Sequence, residues 1–297
     1  MSEVENGTLS TAVRDLSGDR LTAEVMSRFV DGPSPRLAEV LQALVRHLHA
    51  FAREVHLTED EWAASIEFLT RTGQMCSDTR QEFILLSDVL GLSMQVIGIN
   101  HPAAAGSTES TVFGPFYVAT TPRYRNGDDV ANGARGEPCY IAGRVLSTTG
   151  APLAARLEIW QADSEGLYDV QRPELTASQG RGELRAEDDG RFWFWTVKPE
   201  PYPIPEDGPV GQLMHATARS PYRPAHVHFR VSMPGYQTVT THVFASGDQY
   251  LDKDAVFGVK ESLIAPFERH EPGVAPDGST RETPFYSMTY DFVLAPV

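Results

Sequence analysis

The stretch RPAHVHFRVSM, residues 223–233, decides the fold, because its apolar and polar residues alternate. Val227 and Phe229 are apolar. Two histidines, His226 and His228, take the alternate positions. In a strand, residues two positions apart project from the same face. The stretch therefore predicts a strand with one face turned to an apolar layer and the other face presenting both imidazoles.

From about residue 105 onwards the chain repeats this pattern, and its loops are rich in glycine, proline and aspartate. No helical segment alternates with these strands, so an antiparallel sandwich is favoured over a parallel sheet. Five further segments have the composition of strands: CYIAGRVL (139–146), ARLEIWQA (155–162), RFWFWTV (191–197), QTVTTHVFA (237–245) and MTYDFVLA (288–295).

The first third of the chain has helical periodicity instead. Apolar residues in SPRLAEVLQALVRHLHAFAREV (34–55) form one stripe at helical spacing, and Ser34 is the predicted N-cap. A second helix is predicted to begin with the capping box Thr58–Glu61 and to end at Gly73. A third is predicted from about Asp78 to Ile97.

The predicted fold is α+β: an N-terminal helical domain, residues 1–108, is followed by an antiparallel β-sandwich domain, residues 109–297. The few helices carry more apolar surface than they can bury among themselves. The sandwich or a second copy of the chain would have to cover it. A structural cap and a dimerisation role therefore both stay open.

Composition and charge exclude several classes of partner. The 297 residues have a net charge of −15, which opposes binding to nucleic acid and to anionic membranes. No apolar run is long enough to span a bilayer. The acidic, polar start MSEVENGTLSTAVRD lacks the features of a secretory signal, so a cytoplasmic protein is expected. Cys76 and Cys139 fall in different predicted domains, and reduced thiols are expected.

Two tyrosines make the histidine pair chemically distinctive. Tyr168 follows a predicted strand in a polar loop, and Tyr202 is held between two prolines that restrict its backbone. Phenolate is a hard anionic donor that suits iron(III), and only a strongly charged metal would hold it deprotonated at neutral pH. Taken alone, the His226–His228 spacing is also compatible with an ordinary strand.

Two further groups accompany the pair. Arg223 supplies a permanent cation three residues before His226, and it can stabilise negative charge on a substrate or form a structural ion pair. His242 lies in the next predicted strand. It can face the same cleft or be a core histidine.

These motifs resemble the intradiol ring-cleaving dioxygenases over nearly the whole chain. The resemblance is carried by LEIWQADSEGLYDVQ (157–171), GRFWFWTVKPEPYPIP (190–205) and YRPAHVHFRVSMPGY (222–236). Two more segments, STESTVFGPFYV (107–118) and SGDQYLDKDAVFGVK (246–260), resemble the branch of the family that cleaves hydroxyquinol. His242 suits that branch, whereas the catechol branch usually has glutamine at this position.

The resemblance implies one non-haem iron(III) per subunit, bound by Tyr168, Tyr202, His226 and His228. Tyr202 would be released when the substrate chelates the metal, and it would act with Arg223 in catalysis. The substrates would be O2 and benzene-1,2,4-triol, with catechol or a chlorocatechol as the alternative. A homodimer through the helical domain is also implied. A remote alternative is a transthyretin-like sandwich that binds small aromatic molecules without chemistry.

The resemblance also implies a substrate pocket built from several segments. Asp88 is notable, because an acid there can accept a hydrogen bond from the third ring hydroxyl, which catechol lacks. A surface charge is the alternative for this residue. The full set of implied pocket residues is Leu85, Asp88, Val112, Phe113, Gly114, Ile204, Pro205, Arg223 and Val256.

Overall fold

The computed structural model of the chain describes residues 13–78, 80–102 and 104–297. These form two compact units, the first ending at Leu69 and the second beginning at Thr70. The division predicted between residues 108 and 109 stays a prediction.

Three helices occupy or begin in the first unit, and each predicted start signal is present. Ser34 accepts a hydrogen bond from the backbone N–H of Leu37 at 3.3 Å. Thr58 and Glu61 bond reciprocally, at 2.9 and 3.2 Å, as a capping box. The helices are α1 (Gly18–Ser27), α2 (Pro35–Glu54) and α3 (Glu59–Gln74).

The predicted third helix is wrong as a single element, because the chain breaks at Gly91. Gly91 adopts φ +72°, a left-handed conformation that ends α4 (Glu82–Val89) before α5 (Leu92–Asn100) begins. The two helices are bent by 80° at this break. No single helix among the described residues is long and apolar enough to cross a membrane, and only α4 and α5 taken together pass that test of length and composition.

Outside its helices the second unit consists of strands joined by loops, and most of the strands form two large sheets. One large sheet has the order β3-β2-β7-β8-β9. The other has the order β10-β13-β1-β14, with β4 also paired to β1. Helix α6 (Pro209–Ala216) lies between β5 and β6 in the chain. The strands are β1 (Pro138–Ser147), β2 (Arg156–Trp160), β3 (Arg181–Arg185), β4 (Arg191–Val197), β5 (Tyr202–Pro203), β6 (Tyr222–Arg223), β7 (His226–Ser232), β8 (Val239–Ala245), β9 (Ile264–Ala265), β10 (Glu268–His270), β11 (Gly273–Val274), β12 (Thr280–Arg281), β13 (Phe285–Thr289) and β14 (Phe292–Leu294).

The α+β class is confirmed, and most strand pairs are antiparallel as predicted. Three pairs are parallel: β1 with β13, β1 with β14, and β8 with β9. The sheets are therefore mixed rather than purely antiparallel. The segment predicted as one final strand is divided between β13 and β14, because Tyr290 and Asp291 interrupt it.

The core lies between the two large sheets. Phe229 of β7 contacts Phe292 of β14 at a centroid distance of 4.8 Å, and Phe192 and Phe194 of β4 at about 6.5 Å. Burying each such side chain contributes roughly 1.5–3 kcal/mol. This apolar layer takes one face of β7, so the side chains on its other face belong to a separate layer.

Candidate active site

The outer face of β7 carries His226 and His228, both only 2% exposed. The register of the sheet places His242 of β8 on one side of His228 and Trp160 of β2 on the other. The Trp160 indole stacks on the His228 ring, with centroids 4.7 Å apart and an interplanar angle of 18°. The sheet therefore fixes the position and the ring plane of His228.

The two tyrosines reach this face from loops. Tyr168 precedes a single 3₁₀ turn, Asp169–Gln171, and its backbone N–H donates to the Gln171 side chain at 3.0 Å. Tyr202 opens the two-residue strand β5, where it pairs with Arg223 of β6. Phe116 stacks on the Tyr168 ring at 4.6 Å. Both phenol rings are thus held by local structure as well as by burial.

The polar atoms of the four side chains converge. Tyr168 Oη lies 2.8 Å from His228 Nε2 and 2.9 Å from Tyr202 Oη. Tyr202 Oη lies 3.4 Å from His226 Nε2, and the two histidine Nε2 atoms are 3.2 Å apart. Two phenol oxygens and two imidazole nitrogens therefore surround one point, from two strands and two loops.

The hydrogen bonding fixes the protonation of His226. Its Nδ1 lies 2.7 Å from the carbonyl oxygen of Pro224. Because a carbonyl can only accept, Nδ1 carries the proton and Nε2 keeps its lone pair. Burial and the nearby Arg223 guanidinium lower the pKa of His226 well below its usual value. Burial, followed by the charge of His242, does the same to the pKa of His228. Both rings are therefore neutral.

The tyrosines have the opposite tendency. Burial and the neighbouring Tyr202 raise the pKa of Tyr168 well above its usual value, and burial also raises the pKa of Tyr202. A phenolate in this position requires a strong positive charge next to it. Two neutral imidazoles and two phenols that ionise against a cation form a donor set that fits a hard trivalent metal. The residues present therefore fit the iron that the resemblance implies.

A third histidine belongs to the same cluster. Side-chain nitrogens of His226, His228 and His242 all lie within 4.8 Å of one another, a spacing that could hold a metal ion. His242 is fully buried, and its Nδ1 lies 3.2 Å from Nη2 of Arg223. Since arginine can only donate, that nitrogen accepts. His242 thus faces the cleft, as one of the two sequence-based alternatives had it.

Arg223 is buried and oriented by an acid. Its Nε donates to Asp254 Oδ1 at 3.0 Å, and its Nη1 lies 3.1 Å from His226 Nε2. The two side chains form an ion pair with both partners nearly inaccessible to water. A structural ion pair and a role in the site are therefore not alternatives here, because Asp254 holds the cation against the donor cluster.

Three of the implied pocket residues, Val112, Phe113 and Gly114, lie on the loop before Phe116. Gly114 adopts φ +75°, and a Cβ there would lie 3.1 Å from Cε1 of His228, so this close approach favours glycine. Phe113 packs edge-on against Tyr117 at 4.4 Å. Phe113 and Gly114 line a cavity of about 270 Å³.

Apart from Val112, the remaining implied pocket residues lie on other segments. Ile204 and Pro205 line a cavity of about 470 Å³ together with Tyr202. Leu85, Asp88, Val112 and Val256 are buried and line neither of these two cavities. Burial raises the pKa of Asp88 to about 6, although a hydrogen bond from Ser93 and the charge of Arg223 act in the opposite direction.

Several residues of the site were missed from the sequence. Trp160, Phe116 and Tyr117 form its aromatic wall, and Asp254 orients Arg223. For Trp160 a signal was present, because LEIW places it two residues after Glu158 on the polar face of a strand. Asp254 gave no local signal, since its contact with Arg223 spans 31 residues.

The family model "Dioxygenase" matches residues 112–296, and "Catechol dioxygenase N terminus" matches residues 34–108. The chain therefore belongs to the intradiol dioxygenase family, and it is an enzyme of that family. The alternative of a non-catalytic binding module is set aside.

Individual relatives narrow the similarity further. The chain is 54% identical to 6-chlorohydroxyquinol 1,2-dioxygenase of Cupriavidus pinatubonensis, over 93% of this chain and 96% of the relative. It is 50% identical to hydroxyquinol 1,2-dioxygenase of Nocardioides simplex, over 93% and 94%. The solved structure of hydroxyquinol 1,2-dioxygenase from Pseudomonas putida DLL-E4 matches with a TM-score of 0.86 and 44% identity, covering 93% and 98%.

Proposed function

We propose that this enzyme cleaves the ring of hydroxyquinol, benzene-1,2,4-triol, between its two adjacent hydroxyl-bearing carbons. Both atoms of O2 enter the product, 3-hydroxy-cis,cis-muconate, a tautomer of maleylacetate. The observation that carries this proposal is the convergence of four buried donor atoms on one point. Relatives at 50–54% identity that are named for hydroxyquinol and 6-chlorohydroxyquinol support the choice of substrate.

The proposed cofactor is one non-haem iron(III) per subunit, held by Tyr168, Tyr202, His226 and His228. When bound, the ion supplies Lewis acidity that attracts the two adjacent substrate oxygens and makes the ring reactive towards O2. The two histidines are preset for this role by their neutral rings and by the bond from His226 to Pro224.

Proton transfer is assigned to Tyr202. As a phenolate it is a base within the donor cluster, and it can accept a proton from a substrate hydroxyl. Its loop attachment suits this task, because the two-residue strand β5 holds it less firmly than β7 holds the histidines. Before substrate binds, its phenol oxygen lies 2.9 Å from Tyr168 Oη.

Arg223 is assigned to charge stabilisation. It is a permanent cation, anchored by Asp254 and 3.1 Å from His226 Nε2. Negative charge that builds up on the substrate ring in this low-dielectric site is stabilised by such a fixed charge without reorganisation. Asp88 is assigned to recognition of the third ring hydroxyl, as a buried hydrogen-bond acceptor.

Oxygen uptake by the iron-loaded protein tests the substrate. Benzene-1,2,4-triol and catechol are compared at equal concentration, with a protein-free control because the triol oxidises spontaneously. Fast uptake with the triol and little with catechol is expected. A preference for catechol or a chlorocatechol would overturn the substrate assignment and leave the ring-cleaving chemistry in place.

The visible spectrum tests the donor set. A tyrosinate bound to iron(III) gives a visible charge-transfer band, which is expected to change in Tyr202→Phe together with a large loss of turnover. Tyr140→Phe is the matched control, because Tyr140 is a buried tyrosine in the core of the other sheet. An unchanged band and full turnover in Tyr202→Phe would remove Tyr202 from the site.

We also propose a homodimer through the helical segment. Helix α2 and the residue after it expose a row of large apolar side chains at spacings of three or four residues: Leu37, Val40, Leu44, Leu48, Phe51 and Val55. Such a row marks a protein interaction surface. Light scattering is expected to give twice the chain mass for the native protein and the single mass for Leu44→Glu. A monomeric native protein would contradict the proposal.

A further inference from the structure

Arg219 forms hydrogen bonds to two segments that are distant in the chain, the end of helix α4 and the turn around Ala255. It follows helix α6, and its guanidinium donates from Nη1 to the carbonyl oxygen of Val89 at 2.6 Å. From Nη2 it donates to the carbonyl oxygen of Ala255 at 3.1 Å. The planar fork of arginine suits two acceptors at once. The two carbonyls lie 166 residues apart in the chain, and Arg219 bonds to both.

The first carbonyl ends helix α4. The last four carbonyls of a helix lack partners within the helix, and a cation at that end is also favoured by the helix dipole. Val89 is the last residue of α4, directly after Asp88. Leu85 lies one turn earlier on the same helix. The bond from Arg219 therefore fixes the end of the helix that carries two of the implied substrate contacts.

The second carbonyl belongs to the turn at residues 254–258. Asp254 opens this turn, where it accepts hydrogen bonds from Arg223 Nε at 3.0 Å and from the Gly258 N–H at 2.8 Å. Val256, another implied substrate contact, lies at its centre and is 2% exposed. Movement of this turn would thus move the acid that orients Arg223.

The backbone of the 254–258 turn is strained, and contacts with Arg219 stabilise it. Phe257 adopts φ +59°, a left-handed conformation that is costly for a residue with a bulky side chain. The Arg219 guanidinium lies 5.1 Å from the centre of the Phe257 ring, within the range of a cation–π contact. The same ring also lies beside Gly91, at the break after α4. Arg219 therefore contacts both the backbone and the side chain of the turn.

We propose that Arg219 is a positioning residue that sets the separation between Asp88 on α4 and the 254–258 turn, and thereby the preference for a triol over a diol. The inference rests on the proposed function, because it assigns Asp88 to the third hydroxyl. Arg219 itself does not touch substrate. It acts through the two backbone carbonyls that it holds.

The test compares Arg219→Met and Arg219→Lys with the native iron-loaded enzyme. Methionine keeps the apolar stem and loses both bonds, whereas lysine keeps the charge but has one nitrogen for two carbonyls. The ratio of kcat/KM for triol over catechol is expected to fall about tenfold in Arg219→Met, through KM more than kcat, and by less in Arg219→Lys. Arg269→Met is the control, because Arg269 lies on strand β10 and forms an exposed ion pair with Glu271, directly after that strand.

A general loss of stability would lower activity on both substrates in proportion and leave this ratio unchanged. An unchanged ratio in Arg219→Met overturns the proposal. If Arg219→Met fails to fold, the ratio measured for Arg219→Lys decides in the same way.

Amide hydrogen exchange gives a readout that needs no substrate. In Arg219→Met, exchange is expected to quicken both at Leu90 and Gly91 and across residues 254–258, while Arg269→Met matches the native protein. Unchanged exchange at either segment overturns the link. A native protein that consumes neither triol nor catechol would instead refute the proposed function, and the exchange result would still decide whether Arg219 joins the two segments.

Discussion

Over His226–Phe229 the two faces of strand β7 are both buried, but they differ completely in chemistry. On the inner face Val227, Phe229 and Val231 are inaccessible to solvent and pack in the apolar core. On the outer face His226 and His228 are 2% exposed, and each has polar neighbours within 3.4 Å. Burial alone therefore does not separate a core from an active site in this sheet.

What separates the faces is how each residue is satisfied. An apolar side chain is stable wherever it is excluded from water, so the inner face requires shape only. A buried imidazole must also find partners in fixed directions. The stability of the outer face consequently depends on hydrogen-bond partners from distant segments. The stability of the inner face depends on how well apolar side chains fill the available volume. Substitutions on adjacent residues of one strand should thus have different consequences.

His228→Ala should have the largest effect on function. It removes a nitrogen that lies 2.8 Å from Tyr168 Oη, and we expect turnover to fall by more than about 100-fold, with the visible band weakened or lost. Iron content, the spectrum and oxygen uptake are measured on one preparation. Val227→Ala, one residue away on the opposite face, should keep the band. Full activity in His228→Ala would refute the prediction that function depends on the outer face of β7.

Phe229→Ala should have the largest effect on stability. It removes a ring that contacts three phenylalanines of the other sheet, and the free energy of unfolding should fall by about 3–5 kcal/mol. Urea denaturation followed by circular dichroism measures the change. The spectrum and turnover of the folded fraction should stay native. A loss of the visible band under native conditions would mean that the two faces are coupled.

Asp88→Asn should change how stability depends on pH, by up to about 3 kcal/mol, because burial raises the pKa of Asp88 from 3.8 to about 6. The folded protein binds this proton more tightly than the unfolded chain does. The contribution of Asp88 is therefore fully present below pH 3.8 and is lost as the pH rises through 6. The variant should gain on the native protein as the pH rises from about 3.8 to about 6, as measured by denaturation of the metal-free proteins. If the variant instead loses stability relative to the native protein as the pH rises, the assigned environment of Asp88 is contradicted.

Thr241→Val should have the smallest effect and should be favourable. Thr241 is fully buried opposite Phe229 on the inner face, and its hydroxyl has no hydrogen-bond partner among the residues that the structure describes. Replacing it by a methyl group of similar volume should raise the free energy of unfolding by about 1 kcal/mol. Thermal unfolding with unchanged oxygen uptake checks this. A destabilised variant would show that the inner face contains a polar contact.

The alternation of apolar and polar residues predicted much of this fold, because the face on which a strand residue lies is set by its position along the local sequence. It placed His226 and His228 on one face and Val227 on the other. It could not predict the break at Gly91, because the apolar pattern continues through Leu90 and Leu92 and only the backbone angle reveals the turn. It also could not predict the parallel pairs, which depend on where the chain returns after long excursions.

For the site, the sequence indicated which residue types could donate to a metal, but not how their side chains are arranged. Tyr168 and Tyr202 were singled out by their loops and by the prolines around Tyr202, but their assignment as ligands came from the family resemblance. Nothing in their local sequence indicates that their oxygens lie 2.9 Å apart. Asp254 and Trp160 were missed, because their relation to Arg223 and His228 is set by strand register and by a distant turn. Contacts between side chains far apart in the chain require the sheet to be known first.

The parallel pairing of β1 with β13 and β14 has a consequence for biosynthesis. The sheet that carries the histidines is complete once residue 265 has been made, whereas the two strands that pair in parallel with β1 lie within residues 285–294. Until those last residues leave the ribosome, Phe229 lacks Phe292, one of its three aromatic neighbours, and the apolar surface around it is only partly covered. A growing chain with such a surface is prone to associate with others. The donor cluster can therefore assemble while the nascent chain is still most exposed to aggregation.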